Sequence, residues 1–198
     1  MDKKPWLWGC GGCGIVAVVA AIVLAVVIGG WVASVNNQLV TLQEEMKAKW
    51  AQVETVLQRR YDLIPNLVAT VKGYAAHEKD VLEDVTRLRS QWGAAQTVEA
   101  KAKAANEMES ALSRLLVVAE SYPDLKASQN FRDLQFELSG TENRISVERQ
   151  RYNETVKAYN TRVRQFPTSL IAGMLGFTPS TAYFDATPAA AEAPKVQF

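Results

Sequence analysis

From Pro5 through Gln43 the chain carries no charged residue, and within that run Gly14 to Val35 (GIVAVVAAIVLAVVIGGWVASV) is almost wholly apolar. As a helix this segment is long enough to cross a hydrocarbon core of about 30 Å. Trp6 and Trp8 precede it and Trp31 lies near its far end, where amphipathic rings prefer the two interfaces. A secretory signal peptide has an apolar region of about 7–15 residues followed by a small-residue cleavage site. This run is longer, and only Val32-Ala33-Ser34 resembles such a site. The sequence therefore predicts a retained transmembrane helix over 14–35, behind an N-terminal tail of residues 1–13. Lys3 and Lys4 on its amino side favour a cytoplasmic N-terminus and an extracytoplasmic body, against Lys47 and Lys49 beyond it.

Within the span Ala17, Ala21, Ala25, Gly29 and Ala33 recur every fourth residue. Such a stripe of small residues lets two helix backbones approach closely and predicts self-association in the membrane; the plain alternative is that alanine is common in such helices. Cys10-Gly11-Gly12-Cys13 precedes the apolar run with no second pair elsewhere. It reads as an inert juxtamembrane pair, with a disulfide or acylation as the alternatives.

Composition closes several doors. In 198 residues, 22 Lys+Arg stand against 21 Asp+Glu for a net charge of +1, without the basic excess of a dedicated nucleic-acid binder. One His and two Cys cannot supply a two-histidine zinc or di-iron site, a four-thiolate zinc site or a disulfide framework. No phosphate-cradling glycine loop or nucleophile elbow is present. His77, beside Glu78 and Asp80, reads as a surface or capping residue, because neighbours on a helix point apart. No catalytic residue, metal or cofactor is predicted, and the chain is not expected to be an enzyme.

The body, residues 36–166, reads as long helices. Val35, Leu39, Leu42, Met46, Trp50, Val53, Leu57, Tyr61, Ile64, Val68, Val71 and Ala75 step by three and four, a helix seam in phase with the membrane segment. Pro65 interrupts the hydrogen-bond ladder, and since the phase survives it, a kink is expected rather than an end. Leu82, Val85, Leu88 and Trp92 mark a second helix closed by Gly93. Thr97 caps a third, with Glu109, Leu112, Leu116 and Ala119 inward. Ser121-Tyr122-Pro123-Asp124 is a stop and turn. A fourth helix carries Phe131, Leu134, Leu138, Thr141, Ile145, Glu148, Tyr152, Val156, Tyr159, Val163 and Phe166, and ends at Pro167. The fold class predicted is all-α: a transmembrane helix continuing into an antiparallel up-down four-helix bundle.

The first body helix, Asn36 to about Lys72, and the fourth, about Asn130 to Gln165, each span roughly 55 Å at 1.5 Å per residue. The fourth therefore returns to the membrane, and the uncharged segment 167–184 follows it. Phe166 to Phe177 reads equally as a foot on the membrane interface or as a strap on the base of the bundle. Residues 178–198 are Pro/Ala-rich and expected to be mobile, with 185–198 the flexible tail of the domain plan.

Several motifs then converge. Arg59-Arg60-Tyr61-Asp62-Leu63-Ile64-Pro65-Asn66-Leu67-Val68, Val71-Lys72-Gly73-Tyr74 and His77-Glu78 resemble the signature of the LemA family. So do Ala119-Glu120-Ser121-Tyr122-Pro123-Asp124-Leu125-Lys126, Glu142-Asn143-Arg144-Ile145, Tyr152-Asn153, Tyr159-Asn160, Phe166-Pro167 and Gly176-Phe177, in that order. The resemblance covers about residues 36–184. It implies a bacterial membrane protein with one N-terminal span, a four-helix body and no established enzymatic activity.

The polar motif residues carry two readings each. Arg59, Arg60 and Asp62 beside Pro65 and Asn66 form either a polar lock, with Asn66 or an arginine satisfying the carbonyl that Pro65 frees, or a partner-docking surface. Glu120, Asp124 and Lys126 around Tyr122-Pro123 organise a turn. Asn143, Asn153 and Asn160, with Tyr152 and Tyr159, either set register on the seam or contact a second subunit. Arg162 and Arg164 meet anionic headgroups or simply face solvent. The function expected is a membrane-anchored scaffold or adaptor of the bacterial inner membrane, self-associated, in contact with lipid and an envelope protein, and not with nucleic acid. The alternative is a regulatory partner of a membrane enzyme such as a protease.

Overall fold

The computed structural model describes residues 9–184, with side chains from Gly14 onward. The readings made for Lys3, Lys4, Trp6, Trp8, the Cys10/Cys13 side chains and the 185–198 tail lie outside the described residues. Six helices follow one another, with no strand among the described residues: α1 (Gly9–Tyr74), α2 (Lys79–Ala94), α3 (Val98–Glu120), α4 (Pro123–Ala127), α5 (Gln129–Arg164) and α6 (Thr168–Met174).

The dominant element is α1. It holds the apolar segment and the first body helix in one uninterrupted run of 66 residues, about 99 Å long at 1.5 Å per residue. From Gly14 to Gly30 every residue is exposed, as a lipid-facing segment would be, while from Val35 onward one stripe is buried. The helix is long and apolar enough to cross a membrane. It continues through Pro65 for two further turns.

Buried α1 residues fall at Val53, Leu57, Tyr61, Ile64, Leu67 and Val71, with Ala75 just past its end, the spacing that puts one helix face on a core. They pack chiefly on α5, whose Phe131, Leu138, Ile145, Tyr152 and Val156 share that core. Gln38 meets Arg162, Trp50 meets Tyr152 and Arg60 meets Glu142. The opposite order of those partners makes α1 and α5 antiparallel. The hairpin of α2 and α3 runs likewise, Asp84 meeting Arg114 and Glu78 meeting Tyr122.

Local chemistry sets the boundaries. Thr97 caps α3, its hydroxyl accepting from the Ala100 amide at 3.1 Å. The expected turn at 121–124 leads into a helix of its own, α4, opened by Pro123 at its first position. Phe166 departs from expectation. The period of α5 puts it on the seam, but the helix ends at Arg164 and Phe166 is exposed.

Beyond it, α6 buries Thr168, Ile171 and Ala172. The last two share a second core with Val35, Leu39, Tyr159 and Val163. Its end is a Schellman motif: the Phe177 amide donates to Ala172 and the Gly176 amide to Gly173. Gly176 stands at φ +81, in the left-handed region that favours glycine. The turn sends the chain back along α5.

Candidate functional site

The polar motif residues occupy three places. The first surrounds Pro65. A proline in a helix leaves the carbonyl four residues earlier without its amide donor, here Tyr61. The donor comes from neither Asn66 nor the neighbouring arginines. It is Arg89 of α2, whose Nε donates to the Tyr61 carbonyl at 3.2 Å. Asn66 and Pro65 are exposed, and Asp62 accepts from Gln58 at 2.7 Å on its own helix.

The second place is a set of ion pairs between helices. Arg60, nearly buried, pairs with Glu142 of α5, and Arg59 reaches Glu137 at 3.3 Å on the surface. Lys101 of α3 pairs with Glu54 of α1. Arg114 of α3 reaches Asp84 of α2 at 3.0 Å. A hydrogen bond from Arg87, then one from Arg114, hold the Asp84 carboxyl below the usual carboxylate range.

The most enclosed pair joins Arg149 of α5 to Glu109 of α3 at 3.0 Å, with side chains 11% and 16% exposed. Next to them Tyr61 and Trp92 stack at 4.3 Å. Burial drives the Tyr61 phenol well above its usual range, against the opposing charges of Arg60 and Arg149. Neither Arg89 nor Arg149 stood out in the sequence.

The third place is a strap. Residues 177–184, expected to be mobile from Thr178 on, lie along α5 and are held by the residues read as seam polars. Asn153 donates to the Phe184 carbonyl at 2.8 Å and accepts from the Phe184 amide at 3.0 Å. Asn160 makes the same reciprocal pair with Ser180, at 2.8 and 2.7 Å, and also reaches the Tyr183 hydroxyl. The Tyr159 hydroxyl donates to the Thr178 carbonyl at 3.0 Å. A primary amide offers one donor and one acceptor side by side, so it pairs with a main chain as a neighbouring strand would.

The strap ends in an aromatic box. Phe184 stacks on Trp50 at 5.7 Å and meets Tyr152 edge-on at 5.9 Å. The Arg149 guanidinium lies 4.8 Å from its ring centroid. Asn153 and Asn160 thus each grip the chain's own backbone. Replacing Asn160 by Ala should speed hydrogen exchange at the Ser180 amide about tenfold or more, by losing a bond worth about 1–3 kcal/mol. Exchange in the α1 and α5 cores should stay unchanged. Equal exchange at Ser180 in both proteins would contradict the assignment.

The rest is simpler. Tyr122 donates to Glu78 at 3.0 Å, and that bond, then burial, raise its phenol above the usual range. Glu120 pairs with Lys126, while Asp124 is exposed in the first turn of α4. Asn143 and His77 are exposed. Among the described residues no three His, Cys, Asp or Glu side chains come together as metal ligands would. Ala17, Ala21, Ala25, Gly29 and Ala33 line the exposed part of α1.

A family model described as "LemA family" matches residues 49–198. Magnetosome protein MamQ 2 of Paramagnetospirillum magneticum is 26% identical over 179 residues, covering 77% of this chain and 65% of that relative. Magnetosome protein MamQ of Magnetospirillum gryphiswaldense is 25% identical over the same shares. Protein LemA of Metamycoplasma hominis is 26% identical over 145 residues, 71% of this chain and 64% of that relative. The chain thus spans 64–65% of the length of these curated relatives.

Proposed function

The chain belongs to the LemA family, and from that premise we propose that it is a membrane-anchored, non-enzymatic scaffold. It acts through protein–protein contacts at the bacterial inner membrane. One observation carries this reading. A single helix, α1, serves both as the apolar segment and as a core element of the body, so the body is coupled to the bilayer without a hinge. The body, read as an antiparallel four-helix bundle, stands on that helix with its N-terminus cytoplasmic. Among the polar residues of the family motifs, Arg60, Asn153 and Asn160 hold helices and strap together, as a rigid presenting surface requires. None of the three relatives bears the name of an enzyme.

Self-association through the small-residue face of α1 is part of the proposal. At Gly29, on the exposed part of α1, an added Cβ meets nothing within 4 Å in the single chain. Gly29→Leu should therefore leave the fold intact and weaken only contacts between copies. The test is crosslinking in intact cells followed by mass spectrometry, on wild type and on Gly29→Leu. Self-links that fall at least about threefold in the variant support the scaffold. Identical oligomers in both proteins overturn the packing face. One stoichiometric enzyme captured in place of self-links would favour the second reading, a regulatory subunit of a membrane enzyme such as a protease.

A further inference from the structure

We propose that the outer face of α6 is a second membrane contact, lying in the interfacial layer of the same bilayer that α1 enters. One side of this short helix is spent on α1 and α5. The other side is apolar and uncovered: Leu170 and Met174, four residues apart on α6, are 63% and 87% exposed, and Phe166, just before the helix, is 77% exposed. From Phe166 to Phe184 the chain has no charge. Large side chains exposed together at helical spacing mark a surface that something covers.

What covers it follows from its height. The buried side of α6 packs against Val35 and Leu39, and Val35 is the last residue of the apolar segment. The four-residue step between them rises about 6 Å, against an interfacial layer of about 5–7 Å on each side of the hydrocarbon. Trp31, exposed on α1, sits one turn below at the edge of that layer. Arg162 and Arg164 close the last turn of α5 at the same end. Arg162 is tied to α1 through Gln38 at 2.6 Å, and Arg164 is exposed toward headgroup depth. Apolar residues facing the acyl boundary with cations beside them are what interfacial helices use. A second copy of the chain is the rival occupant.

The proposal rests on reading 14–35 as the membrane segment, so the experiment tests both. Full-length protein with Cys10→Ser and Cys13→Ser is placed in nanodiscs of phosphatidylcholine and phosphatidylglycerol. A single environment-sensitive fluorophore is attached at Met174→Cys, Val23→Cys or Phe136→Cys, all three exposed positions. Spin-labelled lipids then quench from shallow or deep positions. Position 23 should be quenched best by the deep label, and position 136 by neither. Position 174 should be blue-shifted and quenched about threefold more by the shallow label than position 136 is.

Deep quenching at 23 with 174 as water-exposed as 136 overturns the α6 contact alone. Loss of quenching at 23 overturns the membrane segment itself. A blue shift at 174 without lipid quenching, growing with protein per disc, identifies a second copy and overturns the proposal.

Discussion

Glu109→Ala is expected to destabilise the body by about 3–5 kcal/mol, because it leaves the Arg149 guanidinium buried without its counter-charge. For a chain of this size that lowers Tm by about 6–20 °C. The pair is 3.0 Å long and nearly enclosed, so the orphaned cation is left largely without water to replace its partner. Removing both charges is a different matter. Glu109→Leu with Arg149→Met takes away the desolvation cost together with the attraction, and should recover most of the loss. A small remainder would reflect the missing guanidinium contact on Phe184. Thermal unfolding of the two variants in detergent decides the matter. A single variant within about 1 kcal/mol of wild type would show that Arg149 does not depend on Glu109.

Alkaline pH should unfold the same region. Burial, then Glu99 and Tyr183, push the Tyr152 phenol up to about 12 from an ordinary value of 10.0. Burial raises Tyr61 further still. A phenol that keeps its proton longer when folded adds nothing to the pH dependence below 10. From pH 10 upward the unfolded chain deprotonates first, and stability falls until the folded-state value is passed. For Tyr152 alone the two-unit gap amounts to about 2–3 kcal/mol by pH 12. The experiment compares denaturant midpoints at pH 9 and pH 12 for wild type and Tyr152→Phe. The variant should lose less by about that amount, with Tyr61 contributing to the remaining slope. Equal losses would mean that Tyr152 titrates as freely folded as unfolded.

Much of the helical plan was legible because helix periodicity is a local signal. The buried stripe of α1, the cap at Thr97 and the end of α5 before Pro167 each depend on residues within a turn or two of one another. Phe166 shows the limit of that signal, since a period extrapolated past the last hydrogen-bonded turn no longer reports a face. Pro65 shows another. The sequence announces that a carbonyl loses its donor, but Arg89 lies 28 positions from the Tyr61 carbonyl it serves, and only packing brings it there. Arg149 looked like any charged residue on a long helix, because burial of one arginine depends on Glu109 and Phe184 from elsewhere in the chain. The repeat of Tyr-Asn at 152–153 and 159–160 was visible. Its purpose was not, because an amide that pairs with a main chain leaves no mark on the sequence of the strap it holds.

On the proposed reading of 14–35 as the membrane segment, the uninterrupted course of α1 makes the protein a lever pivoted in lipid. From Val35 to Tyr74 the helix reaches about 58 Å beyond the apolar segment. A membrane helix inclined by about 20°, the average for such spans, carries the far end sideways by about 20 Å. Bilayers of different thickness favour different inclinations. A change of a few ångströms in lipid depth is thereby magnified into a sweep of the distal tip several times larger. How far the tip reaches, and which neighbours it meets, becomes a property of the membrane as much as of the protein.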